Sequence, residues 1–230
     1  MALAERRQRE KDQRREDIIN AAEKLFFSRG YDNVSMDEIA SEVELSKPAL
    51  YYYFKDKESL FFAVVNRGVK IFRAITTEEL KNAQTSGLKV GAINLATARF
   101  SQEYPDYAKA HVHFWSGRFD LSNDKDLSPD AKEIIEFSCE NYMIIISIIK
   151  SGIEDGTFRS DANPLLVAVL FGLISIGIPH MSPSIRKFME THGITMQQFN
   201  LEVADLAYRM VMHVEEGDEN IRARKLDFDI

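Results

Sequence analysis

Lys47, Tyr51 and Tyr52, with Ser46 ahead of them and Pro48 and Ala49 between, bring hydrogen-bond donors and small apolar groups into one short stretch. An ammonium and a phenol can donate to base edges or to phosphate oxygens, while proline and alanine suit the methyl group of thymine. Lys55 and Lys57 follow, and no acid stands between Leu45 and Lys55. A polyanion could therefore approach this stretch without local repulsion. The chemistry on offer is contact and recognition rather than bond making.

Elsewhere the residue types that make and break bonds lack the spacing they would need. His111 and His113 stand two apart. On a helix they diverge, unlike the i, i+4 histidine pair of a metal-binding helix. Glu136 and Glu140 share a helical face, but such pairs commonly line a solvated surface. No glycine-rich phosphate loop, nucleophile elbow or Cys-His pair occurs, and Cys139 is the only cysteine. The chain is expected not to be an enzyme and to need no metal and no cofactor.

The elements that must position the donors are helices. Apolar residues recur at helical spacing in Ile18, Ala21, Ala22, Leu25 and Phe26, and Gly30 stands where a helix would end. Ser35 with Glu38 three positions on reads as a capping box opening a second helix. Ser46 opens a third, with Pro48 in its first turn, where proline removes no needed donor. Asp56 can cap a fourth that runs towards Leu80. Further helices are expected near 88–104, 106–119, 129–154, 164–178 and 196–214, with a loop from Asn82 to Gly87. No sustained strand alternation appears, so the fold class is all-α. Residues 217–230 are charged and unpatterned and are expected to form a loose tail.

Two short helices joined by a tight turn over residues 35–54 form a helix-turn-helix, in which Ile39, Ala40, Val43, Leu45 and Leu50 supply the packing. Such a pair can present the leading edge of its second helix to the major groove of DNA. Spacing alone serves equally a pair that only packs, with the run Tyr51 to Phe54 as core.

Composition bounds the rest. The chain has 230 residues, 45% of them hydrophobic, enough for a sizeable core. Its net charge of −7 argues against nucleic acid as a sum. The distribution argues the other way: Arg6, Arg7, Arg9, Lys11, Arg14 and Arg15 outnumber Glu10 and Asp12, while Glu215 to Glu219 is strongly acidic. A basic edge on an acidic body suits phosphate contact through one face. Met1 to Arg15 holds no apolar core of a secretory signal, and Leu165 to Ile178 falls short of a bilayer span. A soluble, cytoplasmic protein is expected, with no membrane partner.

The ordered run Ile18-Ile19-Asn20-Ala21-Ala22, Leu25-Phe26, Gly30-Tyr31, Val34 to Ala40 and Leu45 to Leu60 resembles the N-terminal domain of the tetracycline-repressor (TetR) family. Its Leu-Tyr-x-Tyr-Phe-x-x-Lys-Glu-x-Leu portion is the most specific part. The resemblance implies a DNA-binding domain over 1–60 and a helical effector-binding and dimerisation domain over 61–216. It further implies a homodimer that reads two half-sites of a pseudo-palindromic DNA operator. Matching positions place Lys47, Pro48 and Ala49 near bases and Ser35, Tyr51, Tyr52 and Lys57 near phosphates. The expected DNA-binding set is completed by Ser46 and Lys55. One position departs: the family usually has glycine in the turn where this chain has Glu44. If Glu44 is left-handed, the turn carries a penalty of roughly 1–2 kcal/mol.

Beyond Ile75 the resemblance is one of pattern. It implies pairing of the last two long helices with their twins, and Leu165 to Ile178, apolar nearly all round, independently needs cover on every side. Gly172 and Gly177 would permit close helix approach. The resemblance also implies a cavity for a small-molecule effector, apolar or amphipathic, among Phe100, Tyr104, Tyr107, His111, Phe114, Trp115 and Tyr142. Read alone, an aromatic stripe at helical spacing is more often ordinary core. The expected function is a ligand-responsive transcriptional repressor; the alternative is a helical interaction adaptor that keeps the fold without sequence-specific DNA binding.

Overall fold

The computed structural model describes residues 2–123, 125–178 and 181–212. Ten helices follow in order among them: α1 (Ala2–Arg29), α2 (Met36–Glu42), α3 (Lys47–Tyr53), α4 (Lys57–Lys81), α5 (Ser86–Glu103), α6 (Pro105–Trp115), α7 (Pro129–Glu154), α8 (Pro164–Gly177), α9 (Pro183–Thr191) and α10 (Met196–Val211). The only strand-like pairing among the described residues is an isolated antiparallel bridge between Phe158 and Met212. The all-α expectation holds. The expected tail, 217–230, lies outside the described residues.

Local capping explains most helix starts. The Ser35 hydroxyl oxygen accepts from the Glu38 N–H while the Glu38 carboxylate accepts from the Ser35 N–H, the reciprocal capping box. Ser46 accepts from the Ala49 N–H, and the Asp56 carboxylate from the Ser59 N–H at 2.7 Å. Asn163 Oδ1 takes the N–H groups of both Leu165 and Leu166 ahead of α8. Each such cap satisfies a donor that the helix itself leaves unpaired, for about 1 kcal/mol.

Three boundaries differ from expectation. α1 starts at Ala2, so the basic segment ahead of Ile18 is helical and continuous with the rest of α1. α6 stops at Trp115 instead of continuing to 119, because Gly117 at φ 78 turns the chain away. α9 was not expected at all, although its signals are local: the Ser182 side chain accepts from the Ile185 N–H, Pro183 stands in the first turn, and Gly193 at φ 75 ends it.

The described residues fall into two compact units, one within Met1–Ile75 and Ala98–Glu140, the other within Thr76–Thr97 and Asn141–Ile230. These packing units divide the chain at other points than the motif-based division at residue 60. In the first unit, Ile18, Ala22 and Phe26 of α1 join Ile39 of α2, Leu50 of α3, Leu60 and Val64 of α4, Phe114 of α6 and Ile134 of α7 in one core. In the second, Val90, Ile145, Ile149, Phe158, Ala168, Phe171 and Val211 form a separate core. Gly172 meets Tyr142 of its own chain, with the phenol oxygen 2.6 Å from where a Cβ would stand, so an intramolecular contact already accounts for that glycine. Gly177 has open space around it.

Gly30 ends α1 at φ 79 and ψ 154, a region almost closed to any residue with a Cβ. Nothing lies within 4 Å of a Cβ placed there, so a side chain would meet no neighbour. Gly30→Ala is therefore expected to destabilise the chain by about 1–3 kcal/mol through the backbone alone. Chemical denaturation checks this, and an unchanged midpoint would mean that the turn relaxes to another conformation.

Candidate nucleic-acid interface

The α2–α3 pair is held by the turn Val43 to Leu45. Leu45 N–H donates to Ala40 C=O at 2.8 Å, and Glu44 N–H to Ser41 C=O at 3.2 Å. These are the two bonds of a Schellman motif, and they place Glu44 at its left-handed position, with φ 53. The turn that usually needs glycine is thus made with glutamate, at a backbone penalty of roughly 1–2 kcal/mol. Glycine would remove that penalty but lose more chain entropy on folding, about 0.5–1 kcal/mol. Glu44→Gly is expected to raise stability by up to about 1 kcal/mol. A thermal melt that moves down instead would show that the Glu44 side chain contributes something the backbone argument omits.

Leu50 is completely buried against the core, which fixes the rotation of α3 about its axis. The opposite side is open. Ser46, Lys47 and Pro48 are exposed and Ala49 half-buried, while Tyr51 is 42% and Tyr52 68% exposed. The expected edge therefore stands together on one surface, with Lys55 exposed just beyond it.

The structure adds three features that the sequence pattern did not display. Lys47 Nζ lies 2.8 Å from Asp37 Oδ1, joining α3 to the first turn of α2 and holding the ammonium over the turn. That pairing raises the Lys47 pKa, through the hydrogen bond first and the carboxylate charge second. Lys57, expected against phosphate, instead turns inward: its ammonium donates to Tyr31 C=O and Val34 C=O, each at 3.0 Å, and sits 4.2 Å from the Tyr31 ring centre. Two of its three N–H donors are thereby used within the protein. Finally, Lys11 lies 5.0 Å from the Tyr52 ring and Arg15 5.0 Å from the Phe54 ring, so α1 runs beside the end of α3. Ser35 and Ser46, expected near the nucleic acid, use their oxygens as helix caps.

Tyr31 organises the loop between α1 and α2. Its ring contacts Phe26, Phe61 and Phe119, and Arg118 stacks 5.5 Å from it while pairing with Asp32. Burial, with Glu58 adding to it, pushes the Tyr31 phenol up to about 12. His113, beside the same ring, is held below the usual histidine range by burial and then by the Arg118 charge.

The aromatic residues expected to line an effector cavity are placed as follows. Phe114 is fully buried in the first core, and Phe100 is buried with its ring 5.2 Å from Phe72. Tyr104 stacks on Phe100 at 6.0 Å. The Tyr107 hydroxyl donates to Glu23 at 2.6 Å, and its ring packs where a Cβ on Gly68 would be. Glu23 also receives Arg67, so α6, α1 and α4 meet at this carboxylate. The Trp115 indole N–H donates to His111 Nε2 at 3.2 Å. These six belong to the first unit, whereas Tyr142 belongs to the second and packs against Gly172. No group of three His, Cys, Asp or Glu side chains among the described residues is arranged to hold a metal ion, and no helix among them is long and apolar enough to cross a membrane.

A family profile described as bacterial regulatory proteins, tetR family, matches residues 18–64, which contain α2, the turn, α3 and the packing residues of α1. Residues 18–64 thus resemble the DNA-binding domain of the tetR family. The chain is 44% identical over 59 residues to the HTH-type transcriptional activator FasR of Mycolicibacterium smegmatis, a match covering 26% of this chain and 27% of that relative. The chain thus spans little more than a quarter of the length of that curated relative. Among solved structures, a TetR/AcrR-family regulator from Thermobifida fusca YX-ER1 superposes with a TM-score of 0.64 at 24% identity, covering 85% of this chain and 97% of that one. AibR, in complex with isovaleryl coenzyme A and operator DNA, gives 0.61 at 19% identity, covering 86% and 98%. At such identities the likeness is one of fold.

Proposed function

We propose that this chain is a ligand-responsive DNA-binding transcriptional regulator of the tetR family. The observation that carries the reading is the exposed edge Lys47, Pro48, Tyr51 and Tyr52 on a helix whose other face is locked by Leu50. A short helix held that firmly, with donors and apolar groups foremost, is built for the major groove. Lys47, Pro48 and Ala49 are the base-reading positions, and Ser46, Tyr51, Tyr52, Lys55 and the remaining donor of Lys57 approach phosphates, whereas Ser35 gives both its N–H and its O–H to Glu38 and serves the start of α2 instead. The adaptor alternative would draw its support from Glu44 and from the net charge of −7; the first weakens because the Schellman turn forms around glutamate.

The working form is a homodimer. Leu165, Leu166, Val169 and Leu173 are exposed on α8 although its other face is core, and Leu201, Leu206 and Met210 are exposed on α10. A second copy would cover these faces and would bring two copies of α3 to the two half-sites of a pseudo-palindrome. The DNA-binding domain is taken as residues 1–60 and the effector-binding and dimerisation domain as 61–216. The action is cytoplasmic, without chemistry of its own.

Regulation follows from geometry. The two copies of α3 must lie about 34 Å apart, or a multiple of it, to enter successive turns of one DNA face. An apolar or amphipathic effector held among the α5–α6 aromatics would favour a different separation and release the operator. It can do so only by as much as it binds the two states differently. AibR supports this reading as a regulator of the same fold bound to an acyl-CoA and to operator DNA.

Selection of duplexes from a random pool with the full chain tests the core of the proposal. A palindromic consensus bound by two protomers is expected, and a pool that stays unenriched would refute DNA reading.

A further inference from the structure

α1 carries a second cationic surface, beyond the helix-turn-helix, that nothing in the motif requires. Arg7, Lys11, Arg14 and Arg15 stand at i, i+4, i+7 and i+8, one face of a helix. The acids Glu5, Asp12 and Glu16 fall on the far side, and Glu10, next to the cationic stripe, is already engaged by Arg6 at 2.8 Å. Asp12 and Asp17 are likewise engaged, by Gln8 and Gln13. Arg15 has a structural role, pairing with Asp130 at 2.6 Å. Arg7, Lys11 and Arg14 are exposed and have no acidic partner among the described residues.

What aims this stripe is its neighbour. Lys11 and Arg15 lie over Tyr52 and Phe54, so the cationic face of α1 borders the exposed end of α3. At 1.5 Å per residue, Arg7 stands about 6 Å beyond Lys11 along the axis, roughly two phosphates of one strand.

We propose that the cationic face of α1, through Arg7, Lys11 and Arg14, holds the phosphate backbone of operator DNA flanking the base-read half-site. The partner is duplex phosphate, met without base preference. This rests on the functional reading above, because it needs α3 to be docked in a groove. Its consequence is a separable share of affinity: salt-sensitive, indifferent to sequence, and dependent on DNA beyond the consensus.

The test compares the full chain with Arg7→Gln/Lys11→Gln/Arg14→Gln on the selected duplex across a salt series. Glutamine keeps helix propensity while removing charge. The log–log salt dependence should become shallower by about 0.9 for each phosphate contact removed, hence by roughly 2–3 per bound protomer. The consensus should stay the same, and the wild type alone should gain affinity when the duplex is lengthened past the consensus. A companion that keeps the charge, Arg7→Lys/Lys11→Arg/Arg14→Lys, should retain the wild-type slope. An unchanged slope in the glutamine variant overturns this proposal and leaves the DNA-reading assignment standing. Equal slope loss in both variants overturns it too, assigning the effect to helix structure instead of charge. If the wild type binds no duplex, the functional reading fails and this proposal with it.

Discussion

Lys47→Ala combined with Tyr52→Ala is expected to lower operator affinity by about a thousandfold or more while leaving the melting temperature almost unchanged. On the proposed reading each side chain would make one charge-assisted hydrogen bond to DNA, worth at least about 1 kcal/mol. Two contacts in each of two protomers amount to at least about 4 kcal/mol, and each 1.4 kcal/mol is a factor of ten. Stability should hold because both side chains are largely exposed, Lys47 at 56% and Tyr52 at 68%. The Lys47–Asp37 pair joins two exposed side chains and contributes little to folding. Asp37 gives the prediction a second arm. Asp37→Asn frees the ammonium and removes a negative charge from the binding face, so the affinity of that variant should rise. Fluorescence anisotropy on the selected duplex, beside a circular-dichroism melt, reads both. Wild-type affinity in the double variant would show that α3 does not read DNA.

The largest stability effect is expected in the other unit, at Gly152. A Cβ there would lie 2.0 Å from Phe158 Cδ2 and 2.3 Å from Cε2, far inside any contact distance. The ring cannot step aside easily: Phe158 is 1% exposed, its N–H donates to Gly152 C=O at 2.7 Å, and it bridges to Met212. Overpacking commonly costs about 1–3 kcal/mol, and this site should reach or exceed the upper end. Gly152→Ala is therefore expected to lower the melting temperature by roughly 6–12 °C for a chain of this size. Phe158→Ala alone should cost about 3–5 kcal/mol through the cavity it leaves. Because the added methyl would partly fill that cavity, the double variant should be less destabilised than the sum of the two. Strict additivity would mean that the two groups do not compete for the same space.

The helix-turn-helix was legible in the sequence because its signals are local. Ser35 and Glu38, Ser46 and Ala49, and Asn163 with Leu165 and Leu166 act over two or three positions, where spacing alone decides whether a side chain reaches a backbone donor. Glu44 was legible in the same way, as the wrong residue type for a left-handed turn, and the φ of 53 bears this out. α9 had equally local signals in Ser182, Pro183 and Gly193 and could have been read from them.

The long-range partners were not legible. Whether Lys57 faces outward or donates to Tyr31 and Val34 depends on where the α1–α2 loop lies, which spacing within α4 does not encode. Tyr107 reads as cavity lining along α6, yet its hydroxyl belongs to Glu23, 84 positions away. Gly172 reads as a place where something can approach the helix closely, and only the fold shows that Tyr142 does so.

By itself, then, the sequence determined the capped helix pair, the edge Lys47 to Tyr52 that it presents, and the local excess of positive charge in residues 6–15. Capping and helical periodicity act within a few residues, so their outcome is set before the chain collapses. Only the tertiary structure decided which of those charges stay available. It paired Lys47 with Asp37, drew Lys57 inward, tied Arg15 to Asp130, and left Arg7, Lys11 and Arg14 on a face bordering α3. A charged side chain takes whichever partner packing brings within reach, and that choice is made by the whole fold.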